Sequence, residues 1–124
     1  MLEPAVPPSP LAAWACTGGP WPIACTPLGE LFVVLFFGLA AVGGSYYLQT
    51  LSIIPAALLA GAMFGLFAAA VITVNNYRDL ATDARAGRRT LAVVVGRQAT
   101  QWVYAAERLL PLLLLPFLAL AIVV

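Results

Sequence analysis

Charge is confined to a few short stretches of this chain. Between them the polar pattern lapses for lengths that match a lipid bilayer. From Leu31 to Leu48 no residue is charged, 18 positions in a row. As a helix that run reaches about 27 Å, against a hydrocarbon core of about 30 Å. Ile53 to Val74 is uncharged over 22 positions, long enough to span. A third apolar run, Leu109 to Val124, holds 16 uncharged positions. A spanning helix needs roughly 20, so this one either takes in residues before Glu107 or has been cut off. The pattern predicts an all-α integral membrane protein with about three transmembrane helices, near 29–49, 53–80 and 98–124.

Smaller signals refine these elements. Glu30 stands just before the first span, where its charge can stay wet and favour the helix N-terminus. Gly38, Gly43, Gly44 and Ser45 are small enough to let a neighbouring helix approach. Tyr46, Tyr47 and Gln49 end the segment, either as an interfacial belt or as the lining of a pocket. Gln49 to Pro55 reads as a short turn. In the second span Gly61 and Gly65 form a GxxxG, a helix-packing signature. Gly87 permits a stop or turn. Leu91 to Val95 is a short apolar run closed by Gly96, placed re-entrant or along the interface.

The N-terminal part differs. Four prolines in the first ten residues forbid a regular helix. No basic n-region leads into an apolar core, so residues 1–15 read as a disordered leader. Thr17 to Pro27, with its glycines and prolines, reads as a structured loop. Trp14 and Trp21 lie either at the headgroup level or inside. Cys16 and Cys25 form no metal site; they are small buried residues or, in an exported protein, a pair.

Composition agrees with the pattern. The chain is 63% hydrophobic and 9% charged, where soluble domains carry roughly 25% charged residues. With no lysine and no histidine, Schiff-base and histidine acid/base or zinc chemistry are excluded within it. A net charge of +1 points to no nucleic-acid partner.

The chemistry concentrates between Asn75 and Thr90. Six of the eleven charged residues fall there: Arg78, Asp79, Asp83, Arg85, Arg88 and Arg89. On a helix Asp79 and Asp83 lie one turn apart on one face, with Asn75 one further turn back. Such spacing is common on solvated faces. Its place at the end of a long apolar segment, where charge is costly, makes it a candidate site. Magnesium takes oxygen ligands, accepts one or two carboxylates and leaves room for substrate phosphate. Asp79, Asp83 and Asn75 are therefore candidate magnesium ligands. Arg78, Arg85, Arg88 and Arg89 are candidates to hold phosphate with planar forks. The loop arginines have a second reading, as topogenic anchors to anionic lipid worth about 1 kcal/mol each. Five of the six arginines lie between the second and third spans, which predicts a cytoplasmic loop there.

The run Asn75-Asn76-Tyr77-Arg78-Asp79-x-x-x-Asp83-x-Arg85-x-Gly87-Arg88-Arg89-Thr90-Leu91-Ala92-Val93, followed by Gly96, resembles the second aspartate-rich motif of the UbiA superfamily of membrane prenyltransferases. It looks most like the menaquinone branch, the 1,4-dihydroxy-2-naphthoate polyprenyltransferases. Thr17-Gly18-Gly19-Pro20 and the stretch from Phe36-Phe37-Gly38 to Tyr46-Tyr47-Leu48-Gln49 are similar to that branch too. The resemblance implies transfer of a polyprenyl group from polyprenyl diphosphate to the aromatic acceptor dihydroxynaphthoate within the lipid bilayer of the cytoplasmic membrane. It also implies magnesium and catalytic roles for Asp79 and Asp83. The family fold has nine membrane helices and two facing aspartate-rich motifs. This chain has room for three helices and no Asn-Asp-x-x-Asp-x-x-x-Asp. Residues 16–124 are thus expected to be a partial prenyltransferase membrane domain, a fragment of the nine-helix bundle with half a metal site. The competing readings are another acceptor such as 4-hydroxybenzoate, a non-catalytic small membrane protein, and a cation-conducting subunit.

Overall fold

The computed structural model describes Gly18 and residues 22–124. The proline-rich leader over 1–15, Cys16, Thr17 and Trp21 lie outside the described residues. After a 3₁₀ turn at Ile23–Cys25, helix α1 spans Gly29–Thr50 and α2 spans Pro55–Arg78. Two short helices follow, α3 (Leu80–Arg85) and α4 (Leu91–Val95). Helix α5 spans Arg97–Val123. Helices α1, α2 and α5 are long and apolar enough to cross a membrane. The fold class is the expected one, all-α and membrane-spanning.

Local chemistry sets the boundaries. Leu51, at a left-handed φ of 53°, stops α1. Ile54 is extended and Pro55 opens α2, where its missing N–H leaves no bond unmade. Gly96, at φ 85°, separates α4 from α5. Pro111 and Pro116 sit inside α5, as membrane helices tolerate.

Helix α2 is the middle element, packed on α1 and on α5. Lipid tails are as apolar as leucine, so association between membrane helices rests on close packing of small residues. Gly61 and Gly65 supply it. A Cβ built on Gly65 would stand 2.7 Å from the Val34 carbonyl oxygen, and one on Gly61 2.9 Å from that of Gly38. At this contact α1 is wound as a π-helix, from Val34 to Gly43. Gly38 and Gly43 are buried there. Gly44 and Ser45, expected to serve the same end, are exposed. They fall on the far side of α1, and a Cβ on Gly44 would meet nothing within 4 Å.

One reading of the acidic residues changes, and one alternative is decided. Glu30 is not wet; it is 6% exposed, and its carboxylate accepts a hydrogen bond from Asn76 Nδ2 at 2.8 Å. A favourable helix-start position carries no information about a partner on another helix. Helix α5 does take in residues before Glu107, and Glu107 itself is buried beside Thr73 of α2.

Candidate functional site

The site is built on the junction from α2 through α3 to α4. Asp79 N–H donates to the Asn75 carbonyl at 2.9 Å, and Asp83 N–H to that of Asp79 at 2.8 Å. The one-turn spacing of the three residues therefore survives. Their shared face does not. Asp79 leaves helical geometry, at φ −93° and ψ 9°, and so separates α2 from α3. Asn75 ends exposed, Asp79 partly exposed and Asp83 buried.

Each aspartate has its own arginine. Arg78 grips Asp79 with two bonds, Nε to Oδ1 at 2.9 Å and Nη2 to Oδ2 at 3.0 Å. This guanidinium holds the Asp79 carboxyl below the usual carboxylate range by favouring its charged form. Asp83 pairs more loosely with Arg88, at 3.5 Å. That pair is set by a Schellman closure of α3. Arg88 N–H reaches the Asp83 carbonyl at 2.9 Å and Gly87 N–H reaches that of Ala84 at 3.3 Å. Gly87 takes the φ of +74° that such an ending needs. Arg89 N–H then bonds the Cys25 carbonyl at 3.0 Å, tying the loop to the turn before α1. The Arg85 and Arg89 side chains are exposed, and among the described residues neither forms an ion pair.

Chemically, the donors are two carboxylates and an amide oxygen, which suit a hard cation. Among the described residues no cluster of three or more His, Cys, Asp or Glu gathers to complete a metal site. The arrangement offers two carboxylates to a cation and several guanidinium groups to an anion, at the end of a membrane-length helix.

The model of the UbiA prenyltransferase family matches residues 21–124. The chain belongs to that family. It is 48% identical over 86 residues to the 1,4-dihydroxy-2-naphthoate octaprenyltransferase of Haemophilus influenzae, covering 69% of this chain and 28% of that protein. Its similarity to the 1,4-dihydroxy-2-naphthoate octaprenyltransferase of Mycobacterium tuberculosis is 41% identity over 92 residues, covering 74% and 32% respectively. The UbiA prenyltransferase domain-containing protein 1 of Homo sapiens is 33% identical over 92 residues, at 74% and 27% coverage. The chain thus spans about a third or less of these relatives. No solved structure matches it.

Within this family chain, several polar contacts near the motif escape a reading of spacing. Asn76, adjacent to the ladder, is spent on Glu30. Tyr77 accepts a hydrogen bond from Gln101 Nε2 at 2.9 Å and lies 4.9 Å beneath the Arg97 guanidinium. Together these bonds fix the end of α2 to both α1 and α5. The available signal was only the cost of a polar residue in an apolar segment, which says that a partner exists without saying which.

Proposed function

We propose that this chain carries the diphosphate-binding half of an aryl polyprenyltransferase site, one that moves a polyprenyl group to 1,4-dihydroxy-2-naphthoate in menaquinone biosynthesis. The carrying observation is the run of Asn75, Asp79 and Asp83 from the last turn of α2 into α3, with Arg78 and Arg88 already seated on the two carboxylates. The names of its bacterial relatives support the acceptor.

Asp79, Asp83 and Asn75 are the residues that would hold a magnesium ion. When bound, that ion supplies Lewis-acid stabilisation to the departing diphosphate. A divalent cation and two carboxylates sum to no net charge, so side-chain cations must offset the diphosphate. Arg78 and Arg88 turn from carboxylate to phosphate oxygens, and the exposed Arg85 and Arg89 reach in from the loop. The bond between the allylic carbon and the diphosphate oxygen breaks, its electron pair leaving with the diphosphate; the acceptor ring carbon that bears the carboxylate forms the new carbon–carbon bond, and that carboxylate leaves as carbon dioxide, its bonding pair restoring the aromatic ring. The family's other aspartate-rich motif, the Asn-Asp-x-x-Asp-x-x-x-Asp that this chain lacks, completes the site. The loop from Arg78 to Arg97 lies on the cytoplasmic side of the cytoplasmic membrane, since it holds most of the positive charge.

The test is prenyl transfer by the complete enzyme. Asp79→Asn and Asp83→Asn should each lower turnover by about a hundredfold or more, with membrane expression unchanged, because each removes a full charge from a phosphate-bound cation. Near-normal turnover in both variants would refute the assignment. Transfer to 4-hydroxybenzoate in preference to the naphthoate would leave the diphosphate site standing and overturn the acceptor.

A further inference from the structure

Arg108 is the last of the six arginines and the only one beyond the start of α5. It lies within α5, one residue after Glu107, and the two point opposite ways. Glu107 is buried, whereas Arg108 is exposed. Among the described residues Arg108 pairs with no carboxylate. Its guanidinium sits 5.3 Å from the centre of the Tyr104 ring, and its Nη1 donates to the Tyr104 hydroxyl at 3.3 Å. Among the described residues this cation has only a phenol for company, and a cation in a membrane helix calls for a counter-charge.

Two apolar clefts meet at this pair. One, of about 460 Å³, runs between α2 and α5 along Phe67, Val71 and Val74 and has Asn75 at its rim. The other, of about 280 Å³, runs along α5 over Ala105, Leu109 and Leu112. Tyr104 and Arg108 line both. The depth is right for a headgroup. Asn75 is in the last turn of α2, so the guanidinium lies near that helix's polar end, while one cleft leads toward Phe67 of α2 and the other toward Leu112 of α5.

We propose that Tyr104 and Arg108 form a binding site for an anionic phospholipid. The phosphate meets the guanidinium fork and the phenol, and one acyl chain enters each cleft. The fit decides between amphiphiles. A prenyl diphosphate has one chain and more charge than a single guanidinium matches. A two-chain phosphodiester brings one negative charge and fills both clefts. With the proposed transferase site it shares Asn75, at the rim of one cleft.

Native mass spectrometry of the full 124-residue chain, released from micelles doped with phosphatidylglycerol and excess phosphatidylcholine, tests this. The wild-type chain should retain one phosphatidylglycerol. Arg108→Gln should weaken retention about fivefold, the effect of one arginine near an anionic surface. Leu112→Trp, which obstructs one cleft with Arg108 intact, should weaken it as well, while Gly44→Ala, at an exposed position of α1 with open space around it, should not. Far-UV circular dichroism checks that each variant remains helical; if Arg108→Gln does not, Leu112→Trp decides alone. Wild-type retention in the cleft variant and in any helical Arg108→Gln, equal retention of phosphatidylcholine, or displacement of the lipid by equimolar polyprenyl diphosphate or 1,4-dihydroxy-2-naphthoate would overturn the proposal.

Discussion

Arg78 and Asp79 are neighbours in sequence, yet their contact is two-pronged and sits where helix α2 gives way to α3. The pair lowers the Asp79 pKa, so its sign is that of a depressed carboxylate. Its contribution is present above the ordinary aspartate value near 3.9 and is lost as pH falls through the lowered folded value. Arg78→Gln should therefore raise the Asp79 titration toward the ordinary range, as carbon-13 NMR of the labelled carboxyl would show. An unchanged titration would mean that the exposed pair exists too briefly to matter. At neutral pH Asp79 is charged either way, so any activity lost by Arg78→Gln near pH 7 reflects the missing guanidinium and not a protonated aspartate.

Among elements, the α1–α2 contact is where geometry is tightest. Gly65→Ala puts a methyl into the space of the Val34 backbone. Helix backbone cannot yield as a flexible side chain would, so the variant should lose about 1–3 kcal/mol of stability in a reversible unfolding assay in detergent. Gly44→Ala is the control, since the added carbon meets nothing within 4 Å. It should be neutral or gain slightly from alanine's better helix propensity. Equal stability for the two variants would show that α1 and α2 do not rely on this approach. The GxxxG spacing was legible in the chain. The glycine on the partner helix was not, because Gly38, Gly43 and Gly44 are equivalent until the rotation of α1 is known.

For the whole molecule, the quantity to test is orientation. Five arginines lie from the last residue of α2 to the first of α5, and the proposed cytoplasmic placement rests on them. A cysteine at Ala86, which is exposed in the loop, should react with an impermeant thiol reagent only when the inner face is open. Labelling in intact cells would invert the topology and remove the motif from the compartment assigned to its substrates. Native Cys16 and Cys25 should first be changed to alanine in the reporter.

The sequence alone determined the helical membrane class, the spans and the motif, because each depends on local facts. An uncharged run has a length, a helix repeats every three or four residues, and the Asn75–Asp79–Asp83 spacing is carried by successive backbone bonds. Tertiary structure decided which polar groups meet. Glu30 finds Asn76, Glu107 goes inward beside Thr73 while Arg108 turns out to Tyr104, and the helix break at Asp79 gives the two aspartates different surroundings. Some of these partners are tens of residues apart. Their meeting depends on how each helix is rotated about its own axis, which glycine contacts set across the α1–α2 interface and which no spacing along one chain encodes.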